Sequence, residues 1–254
     1  MAMLVAPDVH QLPLSTKAPW VQEGMRLPAS LEALPVGERP MVWSDLPVFE
    51  AKHGRNSLDM VYDLGIHARA QYQRNIQTPL VVPFDLELLM WLYDRYPSSC
   101  AWQRPTMHAV FDLVYGQVLE SFPADLRPRA QIAYGVRFSR LLGRAPTVHY
   151  RWLVDDTSQG KAGTTRRIKN IVSKLQEAAT KGDSAREVLE SIAVAMWHRR
   201  GLDIDAVAPA YDPITLRQRL SKSALKLRAQ VQTRLNRRQE VDVTYKGGAF
   251  LDAA

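Results

Sequence analysis

The chain has 254 residues, of which 46 % are hydrophobic and 23 % are charged, and its net charge is +7 at pH 7. No window contains the roughly 18 consecutive apolar residues that a membrane helix needs, and no basic segment with a sustained apolar run opens the sequence. We therefore expect no membrane span and no export signal. The single cysteine, Cys100, allows no internal disulfide, which favours a cytoplasmic location.

Positive charge is concentrated in the C-terminal half. Residues 1–50 hold three Lys or Arg against six Asp or Glu, residues 51–130 hold eight against eight, and residues 131–254 hold twenty-two against twelve. A basic half attached to a neutral one fits a surface that faces a polyanion, most simply nucleic acid. A solvated basic exterior fits the same charges.

The first 50 residues contain seven of the sixteen prolines. Proline cannot continue a long helix or a central strand, so we expect an arm that is extended or packed along a partner surface. Trp20, Trp43 and Phe49 argue against complete disorder there, because large aromatic side chains usually cover a surface.

Helical periodicity begins near Ser57 with an apolar stripe through Val61 and Ile66. Residues 84–96, between two prolines, are apolar on nearly all faces and predict a buried helix. The next proline-bounded segment, residues 106–122, has one apolar face and predicts a second helix. That face is formed by Val110, Phe111, Val114, Val118 and Leu119.

Three more helices are predicted after residue 160. The first has an apolar side and a glycine stop at Gly182. The second opens at Ser184 with a capping-box pattern, and the third opens at Asp212, a candidate N-cap that precedes a proline. The tail from Val241 to Leu251 is predicted to be extended or hairpin-like.

The stretch FSRLLGRAPTVHYRWL, residues 138–153, has the pattern of two helices joined by a short break. Gly143 follows two leucines, where a helix-turn-helix needs a left-handed residue, and Ser139 is small enough to let the second helix approach closely. Pro146 or Thr147 would open the second helix. The alternative is two core helices joined by a tight corner.

The run from Phe138 to Gly143, followed nine residues later by Trp152 with Arg151 before it, resembles the helix-turn-helix of phage-repressor-like (XRE-type) transcriptional regulators. With flanking helices the resemblance extends over about residues 107–175. It implies that the second helix enters the major groove of DNA. It assigns base reading to Pro146, Thr147, Tyr150 and Arg151, with Ala145 beside them.

Side-chain chemistry fits those roles. Arg151 can donate a bidentate pair to guanine O6 and N7, and the Thr147 methyl group can touch a thymine methyl group. Arginines that flank the helix pair would contact phosphates, which position the protein without reading sequence. These predicted phosphate ligands are Arg137, Arg140 and Arg144.

A second phosphate-binding cluster is predicted where the next helix begins. Free backbone amides at a helix start, with cations close by, form a phosphate clamp. The predicted members are Lys161, Thr164, Arg166, Arg167 and Lys169. An ordinary solvated basic turn is the alternative. A nucleotide-binding loop is excluded, because Asp155 stands where that motif needs its first glycine.

The last predicted helix, residues 213–239, has no acidic residue and eight basic ones. They are Arg217, Arg219, Lys222, Lys226, Arg228, Arg234, Arg237 and Arg238. An all-basic polar face tolerates like-charge repulsion that a polyanion would relieve. Three interpretations stay open: a second DNA-contacting helix, an oligomerisation helix that pairs through its leucine stripe, and a solvated face.

Motifs for catalysis, metal binding or a cofactor are absent from the sequence. The six histidines have no recurring spacing with acidic residues, and His108, the histidine closest to Cys100, has no partner pair. We therefore predict a protein that is not an enzyme and that binds neither a cofactor nor a metal.

These patterns predict a mainly α fold: a helical bundle that contains a helix-turn-helix, with a Pro-rich N-terminal arm and a long basic C-terminal helix. The predicted regions are the arm (1–50), an N-terminal helical region (51–122), the helix-turn-helix region (123–182) and the C-terminal helices with a short tail (183–254).

The predicted function is sequence-specific binding of double-stranded DNA, as a cytoplasmic transcriptional regulator of bacterial or mobile-element type. Its partners would be the operator DNA and a second protomer or a partner regulator. The alternative is a helical adaptor or assembly protein, such as a conjugation or phage component, whose basic helix binds an acidic partner.

Overall fold

The computed structural model describes residues 13–54, 61–66, 75–98, 107–148 and 162–248. Helices dominate these ranges, and within them strand pairing is limited to isolated β-bridges. The prediction of a mainly α fold is confirmed. None of the helices in the described ranges is long and apolar enough to cross a membrane.

Nine α-helices and one short 3-10 helix, Trp43–Asp45, lie in the described part of the chain. The α-helices are α1 (Ala29–Glu32), α2 (Leu46–His53), α3 (Phe84–Arg95), α4 (Met107–Glu120), α5 (Arg127–Leu141), α6 (Ala162–Thr180), α7 (Ala185–Arg199), α8 (Ile204–Val207) and α9 (Pro213–Gly248). Predicted segments coincide with α3, α4, α6 and α7 and with the start of α9.

Helix α3 is largely surrounded by other elements. Nine of its twelve residues are buried, and two of these are the acidic residues Asp85 and Glu87. It packs most extensively against α6, and α7 contacts both helices. Contact on several sides explains why its sequence is apolar on nearly all faces.

A single large apolar cluster holds the bundle together. Its buried residues run from Met41 to Leu216, so the predicted regions 51–122, 123–182 and 183–254 share one core. The apolar faces predicted for α4 and α6 lie in this cluster, including Val110, Phe111 and Ile171.

Residues 13–54 lie against the helical body instead of extending away from it. The N–H of Ser15 donates to the carbonyl of Gly201 at 2.9 Å, and the N–H of Val21 donates to the carbonyl of Arg200 at 3.1 Å. A small second apolar cluster anchors the same segment. It consists of Val21, Leu27, Leu31, Val42 and Val81.

Two helices begin at the side-chain caps that the sequence predicted. The Ser184 hydroxyl accepts the N–H of Glu187 at 3.3 Å, at the start of α7. The Asp212 carboxylate accepts the N–H groups of Ile214 and Thr215 at 2.8 and 2.9 Å, at the start of α9. Each cap satisfies backbone donors that the first helical turn leaves unpaired.

Helix α9 continues to Gly248, so the prediction of an extended tail is wrong for residues 241–248. The alternation in Val241–Thr244 resembles a strand pattern. However, no proline or glycine interrupts the helix before Gly247, and a continuing helix keeps its backbone hydrogen bonds within itself.

Candidate nucleic-acid interface

The predicted turn after α5 has the geometry of a Schellman motif. Gly143 has a φ of +70°, its N–H donates to the carbonyl of Arg140 at 2.9 Å, and the N–H of Arg144 donates to the carbonyl of Ser139 at 2.8 Å. A left-handed residue closes this motif, and glycine adopts that conformation without steric cost. The predicted left-handed conformation of Gly143 is confirmed.

The turn also packs closely against the first residue of α3. A Cβ atom at Gly143 would lie 2.7 Å from Cδ1 of Phe84. The Phe84 ring in turn stacks on Trp197 of α7, with ring centroids 4.1 Å apart. Gly143 is therefore required both for its backbone conformation and for the space it leaves.

Two of the four predicted base-reading residues lie in the described ranges. Pro146 is half-buried and Thr147 is exposed. The next residue, Val148, is helical, and its N–H donates to the carbonyl of Ala145 at 3.0 Å. Tyr150 and Arg151, together with Trp152 of the family resemblance, lie outside the described residues.

Arg137 is a buried structural residue, so its predicted role as a phosphate ligand is wrong. Its side chain is 3 % exposed. It donates to both carboxylate oxygens of Glu190 at 3.1 and 3.0 Å, to Asp205 at 2.8 Å and to the carbonyl of Ala208 at 2.7 Å. These contacts leave no guanidinium surface for DNA, because Arg137 is among the buried residues of α5.

Arg144 and Arg167 pair with a single carboxylate, that of Asp85 in the first turn of α3. The Asp85 side chain is 5 % exposed, and Oδ1 lies 2.5 Å from Nη1 of Arg167. Arg167 also donates through Nε to the carbonyl of Leu64 at 3.3 Å. The prediction that these two arginines are surface phosphate ligands is therefore corrected: both join α3 to its neighbours.

The remaining predicted phosphate ligands differ in exposure. Arg140 is half-buried, and burial lowers the pKa of its guanidinium. Arg166 is exposed and lies over the Tyr62 ring, 5.3 Å from its centroid, while Lys169 is half-buried. Thr164 lies in the first turn of α6, and Lys161 falls outside the described residues.

An exposed basic surface in the described ranges lies on α9. Arg219, Lys222 and Lys226 are exposed and follow the spacing i, i+3, i+7, which places them on one face of the helix. They line a shallow groove together with the uncharged residues Thr215, Gln218 and Ser223. We call these three cations the α9 basic face.

Among the described side chains, few carboxylates approach the α9 basic face. Within the described residues neither Lys222 nor Lys226 has a carboxylate within ion-pair distance, and Arg219 lies over the Tyr211 ring, 5.0 Å from its centroid. Arg217, on another side, is 3.3 Å from Asp125. The α9 basic face is therefore charged, exposed and not neutralised by described residues.

Helix α9 leaves the body of the protein soon after it begins. Leu216 is 3 % exposed and Leu220 packs against the core, but Leu227 is 62 % exposed. The helix has 36 residues, which corresponds to a length of roughly 54 Å. The core therefore anchors the first two turns of α9, and from Ser221 to Thr233 every residue whose side chain is described is exposed.

Asp85 and Glu87 are two buried polar residues that join α3 to its neighbours, and sequence reasoning missed both of them. The signal was two acidic residues in a helix that is otherwise apolar on nearly all faces, because a buried carboxylate needs a cationic partner. Glu87 pairs with Arg200 at 2.6 Å, and both side chains are at most 2 % exposed. Several arginines of the C-terminal half therefore form ion pairs inside the protein and do not contribute to its basic surface.

No group of three His, Cys, Asp or Glu side chains in the described ranges is arranged to hold a metal ion. Comparisons with family models, curated proteins and solved structures find no match to this chain.

Proposed function

We propose that this protein binds double-stranded DNA sequence-specifically, as a transcriptional regulator of bacterial or mobile-element type. The observation that carries the proposal is the α9 basic face, which is exposed and faces no carboxylate among the described residues. Like charges on one helix face repel each other, and a bound polyanion would remove this repulsion and release counterions, which favours binding.

The dimensions of the basic face suit a duplex backbone. Arg219 and Lys226 are seven residues apart, which is about 10 Å along the helix axis. Over that distance double-stranded DNA carries roughly six phosphate charges. Three side chains with flexible stems can therefore each reach a different phosphate.

Base reading is assigned to the residues after the Gly143 turn. The Schellman geometry and the helical conformation of Val148 support a second helix that starts within a few residues of α5. In the XRE-type arrangement Thr147 and Arg151 would then face the major groove. The α9 basic face would supply affinity, and the residues after the turn would supply specificity.

A single reading helix usually gains affinity by pairing, so we propose that two protomers, or this chain and a partner regulator, occupy two half-sites. In this class of proteins half-sites lie about 34–36 Å apart along one face of DNA. The operator would then have an approximate two-fold repeat.

A salt titration of binding to a random duplex tests the role of α9. We expect that replacing Lys222 and Lys226 by Gln lowers the slope of log affinity against log salt by about 2, because two counterion-releasing contacts are lost. The matched control replaces Lys17 and Arg129 by Gln, since these are exposed cations outside α9. It makes the same change in net charge.

The control should keep the wild-type slope. Equal losses in both variants would show that only overall charge matters, and this would contradict the assignment to α9. Binding of an acidic protein instead of DNA at physiological salt would favour the adaptor function.

A further inference from the structure

The start of α3 contacts both chain segments that border residues 149–161. Arg144 lies in the turn before that stretch, and Arg167 lies in the second turn of α6 after it. Both guanidinium groups pair with the one carboxylate of Asp85. A single buried side chain thus joins the two borders, by which we mean residues 143–148 and residues 162–168.

Close packing also holds each of the two segments, although against different neighbours. Phe84 occupies the space beside Gly143, where a Cβ atom would meet it at 2.7 Å. At the other border a Cβ atom at Gly65 would lie 2.8 Å from the backbone nitrogen of Arg167. The turn is therefore packed against Phe84 and the start of α6 against Gly65, while Asp85 is the group that contacts both segments.

The stoichiometry of this cluster differs from that of the neighbouring ion pair. Glu87, two residues further along α3, pairs one-to-one with Arg200. Asp85 instead binds two arginines, Arg144 through Oδ2 and Arg167 through Oδ1. Each oxygen of the buried carboxylate therefore accepts from a different chain segment, and the loss of either arginine would leave one oxygen unpaired.

We infer that Asp85 is a positioning residue for DNA recognition: it sets the geometry of the Gly143–Val148 turn relative to the start of α6. This inference rests on the proposed function. Base-edge hydrogen bonds form only over a narrow range of distances, so a small displacement of the turn removes direct readout. Phosphate contacts from α9 tolerate the same displacement, because they carry no sequence information.

The test compares Asp85→Asn with Glu87→Gln in the full-length chain. Both variants remove one charge from the buried side of α3, but only the first disconnects the borders. Hydrogen exchange is measured for backbone amides of residues 143–148 and 162–168. The ratio of affinities for a selected duplex and a shuffled duplex is measured well below the unfolding temperature of each variant.

For Asp85→Asn we expect exchange to accelerate about tenfold at both borders together, with α4 unchanged. The ratio of specific to non-specific affinity should fall by about tenfold or more, while the salt slope on the shuffled duplex stays constant. Glu87→Gln should lower the unfolding temperature and leave both the borders and the ratio as in the wild type. Arg144→Lys is the second variant, for use if Asp85→Asn folds poorly, because it keeps the charge but loses the guanidinium geometry. Its exchange rates at the two segments and its affinity ratio should lie between those of the wild type and those expected for Asp85→Asn.

The link through Asp85 is overturned if hydrogen exchange in Asp85→Asn accelerates in only one of the two segments, 143–148 or 162–168. It is also overturned if Glu87→Gln accelerates exchange there as much as Asp85→Asn does. Acceleration at both borders with an unchanged affinity ratio overturns the recognition role. A wild-type ratio of one contradicts the proposed function itself, and the exchange data still decide whether Asp85 joins the borders.

Discussion

At the scale of residues, the basic character of this chain divides into buried and exposed arginines. Arg137 and Arg200 are at most 3 % exposed and hold helices together through Glu190 and Glu87. Arg219 is exposed on α9. Sequence alone cannot separate these groups, because the partners lie far apart along the chain: Arg167 and Asp85 are 82 residues apart.

Gly143 provides a direct test of the turn. Gly143→Ala should lower the free energy of unfolding by about 3 kcal/mol, since alanine is strained at positive φ and its Cβ would collide with Phe84. Gly116→Ala is the matched control, because Gly116 lies inside α4 with open space at its Cβ position. It should raise stability by about 0.5–1 kcal/mol in urea denaturation. Equal effects of the two substitutions would contradict the close packing of the turn.

The pair of Arg137 and Glu190 predicts a pH dependence of stability. Burial alone would raise the pKa of the Glu190 carboxyl, but the hydrogen bonds and charge of Arg137, together with the Tyr115 hydroxyl and the charge of Arg186, hold the pKa below its usual value. A lowered pKa in the folded state adds stability above the unfolded pKa of about 4.3, and this stability is lost as the pH falls through the folded value.

We therefore expect thermal stability to decline as the pH drops below about 4.3, and we expect Glu190→Gln to reduce the steepness of this decline. Melting curves between pH 7 and pH 3 measure both effects. A variant that keeps the full wild-type slope would show that Glu190 is not among the groups responsible.

At the scale of elements, local patterns predicted the helices well. The starts of α7 and α9 follow from Ser184 and Asp212, and the buried faces of α4 and α6 follow from apolar spacing. Capping and periodicity are local properties, so a single sequence contains them. The end of α9 was predicted wrongly, because a short alternating stretch cannot outweigh an uninterrupted helix that precedes it.

The Ser184 cap gives a prediction for one element. Ser184→Ala should cost about 1 kcal/mol of stability, because the N–H of Glu187 loses its acceptor at the start of α7. Ser223→Ala, at an exposed interior position of α9, should be neutral or slightly stabilising. Chemical denaturation of the two variants side by side compares a cap with a mid-helix serine, and a loss of the same size in both would argue against the cap.

At the scale of the whole molecule, one core unites segments that look separate in sequence. Composition indicated an arm in the first 50 residues, yet its attachment through Ser15 and Val21 to the loop after α7 depends on contacts across nearly the full chain. The candidate interface shows the same limit. The turn at Gly143 and a basic helix after Asp212 were predicted from sequence, whereas the role of Asp85 became visible only once α3 was placed beside α6 and the turn after α5.

Selection from a random duplex library with the full-length protein at modest salt tests the central proposal most directly. We predict recovery of an enriched sequence with two related half-sites, and we predict that Arg151→Ala relaxes the preference at one base position in each half-site. Recovery of no enriched sequence, from protein that is folded by its melting curve, would contradict sequence-specific DNA binding.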